Sequence, residues 1–295
     1  VIQDDIENID FLKIKDNHIE IDGLIGGPPC PPFSKSRFYR KEKARGIDDV
    51  DGFKSITEYF RAVEELQPKF FLLENVHGFV YKPHQSALEL VISESGRLGY
   101  KISYKVVNAA DYGIAQTRQR FICIGVKKEL KDFSYPHPTH SNPKKPIKGT
   151  KSWVTCGEII GDIDVDLEED INMMAGSKDK DLLKLVPPGD NYLFFTKERG
   201  YSSPIFKWRS RYWSFLLKLS PDRPSWTIQA SHSNNMGPFH WKNRFLRIQE
   251  IKRIQSFDDK HIFLGNFREQ WRQVGNAVPP KLAEVFAKQL LKQYF

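Results

Sequence analysis

The chain has 295 residues, 40% of them hydrophobic and 28% charged, which is enough for one large core or two ordinary ones. This composition excludes collagen-like, low-complexity and wholly disordered proteins, and no apolar run approaches the ~18 residues that a membrane-spanning helix needs. Three widely spaced cysteines exclude a disulfide scaffold and an all-cysteine zinc site, and favour a reducing, cytoplasmic compartment. The net charge of +8 permits an anionic partner such as nucleic acid without requiring one.

Strand-like and helix-like patterns alternate over about the first 128 residues. Short apolar or alternating runs predict strands at 19–25, 70–73, 100–107 and 120–126. Apolar residues at helical spacing predict helices at 56–66 and 85–98. This alternation predicts an α/β domain in which helices cover a mostly parallel sheet.

The character of the chain changes after this region. Residues 131–150 are rich in Pro, His, Lys and Ser, which is typical of a boundary between domains. Near the C-terminus, Pro280 and the apolar stripe that follows it predict a helix. We therefore expect an α/β domain at 1–134, a second, smaller domain at 135–265, and a segment at 266–295 whose helix returns to the first domain.

A cysteine lies in the loop that follows the first predicted strand. Cys30 is at the centre of Gly-Gly-Pro-Pro-Cys-Pro-Pro-Phe-Ser, residues 26–34. The prolines stiffen the backbone, and rigid presentation suits a nucleophile because it lowers the entropic cost of attack. The alternative is a buried structural cysteine, for which these prolines are a less natural setting.

A carboxylate follows the second predicted strand. Glu74 opens the motif Glu-Asn-Val, directly after the apolar run 70–73. In open parallel sheets, ligands bind at the carboxyl ends of the strands, so Glu74 and Cys30 can face one pocket. For Glu74 alone, a helix cap or a solvated carboxylate is the alternative.

Two further motifs combine polar and charged residues. Arg118 and Arg120, in Gln-x-Arg-x-Arg, are two residues apart at the start of a predicted strand, so they are expected to begin on one face. The alternative is a basic strand edge that prevents aggregation. Gln-Val-Gly-Asn-Ala-Val-Pro-Pro at 273–280 is interpreted as a loop that leads into the last helix, with a simple capped helix start as the alternative.

These four motifs, in this order, resemble those of the cytosine-C5 DNA methyltransferases. The segment 247–257 is similar to the motif that precedes the last one in that family, and the resemblance spans nearly the whole chain. It implies a Rossmann-like S-adenosylmethionine-dependent methyltransferase sheet with a second, smaller target-recognition domain. The implied activity is methyl transfer from S-adenosyl-L-methionine to C5 of cytosine in double-stranded DNA, with no metal and no membrane involved.

The resemblance also assigns roles to the candidate residues. Cys30 matches the nucleophile that adds to C6, and Glu74 matches the carboxyl group that protonates or hydrogen-bonds N3. Arg120 matches the cation near O2, with Arg118 close by. The target base must be flipped out of the duplex to reach Cys30.

DNA contacts are expected from two stretches. The first follows Cys30 and matches a loop that closes on DNA in the family; its candidate residues are Ser34, Lys35, Arg37, Arg40 and Lys41. In the second, Arg209 and Arg211 lie among the aromatic residues Trp208, Tyr212 and Trp213, within the variable target-recognition region. A solvated basic loop is the alternative for the first stretch.

The cofactor side matches the family only in part. Asp5 and Ile6 resemble the acidic-Ile pair beside the adenine, and Pro29, Asn276 and Val278 match cofactor-side positions. The family's Phe-x-Gly-x-Gly loop is not present, and the sequence begins at about the third strand.

Three explanations of this difference are open. The sequence is expected to be a truncated piece, the larger half of a split enzyme whose short partner chain supplies the missing strands, or a catalytically silent DNA-binding module. The retained Cys30, Glu74 and Arg120 argue against the silent module. An RNA cytosine-C5 methyltransferase of the same fold is the further functional alternative.

Overall fold

The computed structural model describes residues 1–16, 20–33, 46–168, 170, 179–231, 233 and 235–295. The chain divides into two compact units. The first unit comprises 1–107, 119–136 and 288–295, and the second comprises 108–118 and 137–287. Along the part of the chain that the structure describes, no helix is long and apolar enough to cross a membrane.

The secondary structure is defined as follows. The strands are β1 (Gly23–Gly26), β2 (Phe70–Val76), β3 (Tyr100–Asn108), β4 (Gln116–Thr117), β5 (Gln119–Lys127), β6 (His140–Ser141), β7 (Lys151–Ser152) and β8 (Ser225–Trp226). The α-helices are α1 (Phe11–Asp16), α2 (Val50–Leu66), α3 (Gln85–Arg97), α4 (Cys156–Ile160), α5 (Lys180–Leu185), α6 (Ile248–Ile254), α7 (Phe267–Asn276) and α8 (Pro280–Tyr294).

A four-stranded sheet forms the centre of the first unit, in the order β1-β2-β5-β3. β1 pairs with β2 in parallel, and β2 pairs with β5 in antiparallel orientation. The sheet is therefore mixed, and the prediction of a mostly parallel sheet is wrong. Two parallel strands that are neighbours in a sheet need a long crossover connection, usually a helix. The link between β3 and β5 contains no α-helix, so the chain reverses direction between these strands and β5 does not continue a parallel sheet.

Helices α2 and α3 cover this sheet because each has one apolar face. In α2, Ile56, Phe60 and Val63 recur at helical spacing and are buried against Phe71 of β2. The helix begins six residues before the predicted start, because the Asp49 side chain accepts a hydrogen bond from Asp51 N and caps it. The predicted strands, α3 and the terminal helix α8 are all present, with shifted ends.

Hydrophobic clusters form the core of the described part of the second unit. One lies between α4, α6 and α7, and another is rich in aromatic residues around Tyr192, Phe195 and Phe239. This unit is the larger of the two, whereas a smaller second domain was expected from the sequence. It also includes 108–118 and 266–287, which the predicted segments assign elsewhere. The boundaries predicted at 134 and 265 concern functional domains, and they stay a prediction because the two units are defined by compactness alone.

Candidate active site

The loop that carries Cys30 is fixed at the end of the sheet. β1 ends at Gly26, where a Cβ atom would overlap the ring of Tyr59. The Tyr59 hydroxyl donates to Leu72 O (2.8 Å), and Asn75 Nδ2 donates to Pro28 O (3.2 Å). The backbone on the N-terminal side of Cys30 is therefore held by β2 and α2, and Cys30 itself is half-buried.

A short 3₁₀ turn, Pro31–Phe33, holds the other side of Cys30. Phe33 N donates to Cys30 O (3.0 Å), and the fully buried Phe33 ring packs on Phe79 with centroids 4.8 Å apart. A Cβ atom at Gly78 would overlap Phe33 O, so only glycine allows this approach. Sequence analysis missed Gly78 and Phe79, although the Gly-Phe pair just after Glu-Asn-Val was a usable signal.

Glu74 and Arg120 form an ion pair across β2 and β5. Glu74 lies opposite Ile122, and Val76 lies opposite Arg120, so the register makes Glu74 and Arg120 diagonal neighbours on one face. Arg120 Nε lies 2.8 Å from Glu74 Oε1, and the side chains are 10% and 16% exposed. Glu74 lies within β2, whereas the sequence predicted it just after the strand.

The electrostatics connect this pair with Cys30. Burial lowers the pKa of Arg120, and the charges of Glu74 and Cys30 act in the opposite direction. Arginine nevertheless stays protonated in proteins, so a cation faces a carboxylate within electrostatic range of the Cys30 sulfur. The structure thus brings together Cys30, Glu74 and Arg120.

The other two cysteines are unsuited to nucleophilic chemistry. Cys123 lies in β5 and Cys156 begins α4, and both are fully buried and free. Burial raises the pKa of each thiol to about 12, so neither forms a thiolate near neutral pH.

Arg118 belongs to the second unit, whereas Cys30, Glu74 and Arg120 belong to the first. It lies between β4 and β5, outside both strands, so the expectation that Arg118 and Arg120 begin on one face of a strand does not apply. Its guanidinium is 1% exposed and donates to the carbonyl oxygens of Ile228, Gly275 and Ala277 at 2.8–3.0 Å. Through these three bonds the Arg118 guanidinium binds the main chain of its own unit.

The segment 273–280 is not one loop. Gln273 to Asn276 form the last turn of α7, and a short link leads to α8 at Pro280. Asn276 is exposed and Val278 is half-buried.

Three predicted cofactor residues line one cavity of about 600 Å³ in the first unit. They are Asp5, Ile6 and Pro29, and the wall also includes Pro28 and Tyr59. Acidic side chains, Lys54 and Ser55 also line this cavity, so it combines charged groups with the apolar faces of proline and tyrosine. Carboxylates beside apolar surface suit a planar, polar-edged ring such as a purine.

The segment 5–9, which contributes Asp5, Ile6 and Glu7 to the wall of this cavity, is anchored to α2 by a side chain that was not predicted from the sequence. Arg61 donates to Ile6 O (2.7 Å) and Ile9 O (3.1 Å), and Glu58 and Glu65 on the same helix hold its guanidinium. A second link is the ion pair between Lys54 and Glu7. Arg61 and Lys54 are each more than 40 positions from the residues of this segment that they bind, so no local sequence pattern could have predicted these contacts.

The predicted DNA-contact residues fall into two groups. Ser34, Lys35, Arg37, Arg40 and Lys41 lie outside the described residues. Arg209 and Arg211 are exposed in the second unit beside the exposed Trp208, Tyr212 and Trp213. The buried Tyr192 hydroxyl donates to Arg211 O (2.9 Å) and accepts from Arg211 N (3.2 Å), which fixes the backbone at this position.

A family model described as C-5 cytosine-specific DNA methylase matches residues 1–292. The chain is 40% identical over 284 residues to the Type II methyltransferase M.SacI of Streptomyces achromogenes, covering 92% of this chain and 71% of that protein. It is 30% identical over 301 residues to the Type II methyltransferase M.NgoFVII of Neisseria gonorrhoeae, covering 99% and 74%.

Among solved structures, the chain resembles a prophage-encoded E. coli protein described as a DNA modification methyltransferase. The TM-score is 0.65 at 22% identity, covering 99% of this chain and 85% of that one. At this identity the likeness shows a shared fold.

Proposed function

The chain belongs to the C-5 cytosine-specific DNA methylase family, and we propose that it methylates C5 of cytosine in duplex DNA through a covalent adduct with Cys30. The observation that carries this proposal is the Glu74–Arg120 pair, in which Arg120 is buried and Glu74 is 16% exposed, within electrostatic range of Cys30. Cys30 is also the cysteine that is not fully buried, whereas burial raises the thiol pKa of Cys123 and Cys156.

The first step is addition of the Cys30 thiolate to C6 of the base. The sulfur forms a bond to C6, the C5–C6 π electrons shift to form a C4–C5 double bond, and the C4–N3 π pair moves onto N3. Glu74, in its protonated form, favours this step by donating its proton to N3 as charge develops there, and Arg120 stabilises the negative charge near O2. Their fixed geometry needs no reorganisation during the reaction.

Addition makes C5 a nucleophile. When bound, S-adenosylmethionine supplies the electrophilic methyl group that C5 takes. Loss of the C5 proton to a base and departure of the Cys30 thiolate then restore the C5–C6 double bond. Inside a stacked duplex C6 is not accessible to Cys30, so the target base must rotate out of the helix.

The cavity described above fits the adenosine part of this cofactor. The Asp5 carboxylate is an acceptor for the adenine amino group, and Ile6, Pro29 and Tyr59 offer apolar contact to the ring. Asn276 and Val278 are proposed as further contacts. The short partner chain expected from the sequence stays a prediction.

We further propose that Arg209 and Arg211 contact the DNA backbone. Both side chains are exposed, and their described contacts are with uncharged groups: Arg209 lies 5.9 Å from the centre of the Trp208 ring, and Arg211 donates to Ser210 O (3.2 Å). Their positive charge is therefore suited to a phosphate group. Replacing both with glutamine is expected to weaken DNA binding and flatten its salt dependence, because fewer counterions are released. Lys184→Gln is the control, since Lys184 already pairs with Asp181 (3.0 Å) in the same unit. Unchanged salt dependence in the double variant would remove both residues from the interface.

Because its relatives are named Type II methyltransferases, we propose that the protein modifies DNA in a restriction–modification system. An RNA substrate is the alternative. Parallel assays on a cytosine-containing DNA duplex and an RNA of the same sequence separate the two.

The covalent mechanism is tested by trapping. A DNA duplex carrying 5-fluorocytosine should form a stable adduct with the full-length protein and S-adenosylmethionine, because fluorine at C5 cannot leave as a proton does. Cys30→Ser should abolish the adduct, while Cys156→Ser should keep it. An adduct that persists in Cys30→Ser, or that maps to Cys123 or Cys156, would show that the nucleophile is assigned wrongly.

A further inference from the structure

A buried hydrogen-bond cluster in the second unit connects three of the sequence motifs. We define it as the polar hub, formed by Gln116, Arg118 and Gln255. All three side chains are at most 1% exposed, yet they carry polar groups that must find partners. Gln116 Nε2 donates to Gln255 Oε1 (2.6 Å), and Gln116 Oε1 accepts from Arg118 Nη1 (3.4 Å). The members are therefore linked to one another and form one unit.

The polar hub binds the main chain at the end of α7. Arg118 Nη2 donates to Gly275 O (2.8 Å) and Ala277 O (2.9 Å). Gln255 Nε2 donates to Val274 O (3.1 Å) and also to Ala277 O (2.7 Å). The last carbonyl groups of a helix lack hydrogen-bond donors inside the helix. Here the buried side chains of Arg118 and Gln255 supply donors for them.

The opposite side of the polar hub is equally fixed. Ile228 N donates to Gln116 Oε1 (3.1 Å), and Arg118 Nη1 donates to Ile228 O (3.0 Å). A Cβ atom at Gly275 would lie 2.6 Å from backbone atoms of Gln229, so the end of α7 packs tightly against this segment. The helix end thus has little freedom to shift.

The bound carbonyl groups flank the two residues proposed to contact the cofactor. Asn276 lies between Gly275 and Ala277, and Val278 follows Ala277. Neither proposed contact residue belongs to the polar hub. We propose that the polar hub positions Asn276 and Val278 for cofactor binding, and that Arg118 is a positioning residue for this site; the inference rests on the proposed function. Its expected signature is a change in cofactor affinity with little change in the rate of chemistry.

The test uses the full-length protein and the variants Arg118→Lys and Gln255→Met. Each keeps side-chain volume and removes hydrogen bonds to the helix end, so the KM for S-adenosylmethionine should rise about tenfold, equal to the loss of one or two hydrogen bonds. At saturating cofactor, kcat should stay within about twofold of wild type. The KM for DNA should not change.

Arg244→Lys is the matched control. Arg244 is a buried arginine of the same unit whose guanidinium donates to Phe245 O (3.0 Å) and to both Glu250 oxygens, at 2.9 and 2.7 Å. This variant should lower the melting temperature and leave the cofactor KM unchanged. If it raises the cofactor KM as much as Arg118→Lys does, the effect is general destabilisation and the proposal is overturned.

The remaining outcomes are also decisive. A fall in kcat at unchanged cofactor KM in Arg118→Lys would make Arg118 part of the chemistry and overturn the proposal. If Arg118→Lys does not fold, Gln255→Met, which keeps the charge of the hub, gives the same comparison. Failure of the proposed function is separate: the wild-type protein would then not methylate cytosine in DNA at any cofactor concentration.

Discussion

Replacing Glu74 with glutamine removes the charge of this side chain and keeps its shape. The carboxylate is 16% exposed and the Arg120 guanidinium is 10% exposed, so water screens their 2.8 Å contact only weakly. Glutamine can still accept the Arg120 hydrogen bond but cannot deliver a proton to N3 of the base. We therefore expect turnover to fall about 10²-fold or more, with DNA affinity changing much less.

The stability effect should be smaller than the effect on turnover. A neutral acceptor replaces a charged one, so the free energy of unfolding should fall by about 1–3 kcal/mol. Arg120→Leu should cost more, about 3–5 kcal/mol, because it leaves the Glu74 carboxylate buried without its cation. This order of the two variants follows from the burial of the pair, and urea denaturation measures it.

Single-turnover transfer of a labelled methyl group to a cytosine duplex measures the chemical effect. Fluorescence anisotropy on the same duplex measures DNA affinity. Glu64→Gln is the control, because Glu64 also pairs with an arginine, Arg97 at 2.8 Å, but lies on the exposed face of α2. Turnover of Glu74→Gln within tenfold of wild type, or a loss that only follows DNA affinity, would refute a role for Glu74 in the chemistry.

Two further predictions concern the support of the site and the second unit. Gly78→Ala should lower both the melting temperature and turnover, because its Cβ would overlap Phe33 O and displace the turn after Cys30; Gly96→Ala, where a Cβ meets no atom within 4 Å, should be neutral or stabilising, and equal effects would contradict this account. Burial lowers the pKa of His240 below its ordinary value of 6.5, and its Nδ1 already accepts from Lys242 N (3.1 Å). Unfolding therefore takes up a proton below pH 6.5, and its free energy should decrease as the pH falls, by at most ~1.4 kcal/mol per pH unit. Urea denaturation from pH 7 to pH 5 checks this, and an identical slope in His240→Asn would rule out His240 as its source.

Local patterns were sufficient to predict the elements that position Cys30 and Glu74. A strand that is buried on both faces is a continuous apolar run, as in β2, and a proline-rich turn after β1 is visible in composition. The antiparallel pairing of β5 was not predictable in the same way, because strand orientation depends on the connection and not on the strand's own residues. Arg61 and Gly78 were not predicted because each contacts a backbone oxygen remote in sequence, Ile6 O for Arg61 and Phe33 O for Gly78.

Arg118 shows most clearly where a period-two argument stops. The rule that residues two apart share a face holds only within one continuous strand. Here the chain leaves β4, which pairs with β8, at Thr117, and enters β5, which pairs with β2, at Gln119. Arg118 lies at this change of sheet, so the geometry of a single strand does not fix the direction of its side chain relative to that of Arg120. Its partners, Gly275 and Ala277, are more than 150 positions away along the chain, and no local pattern could have identified them. The two arginines of one short motif therefore serve two units, Arg120 beside Cys30 and Arg118 at the end of α7.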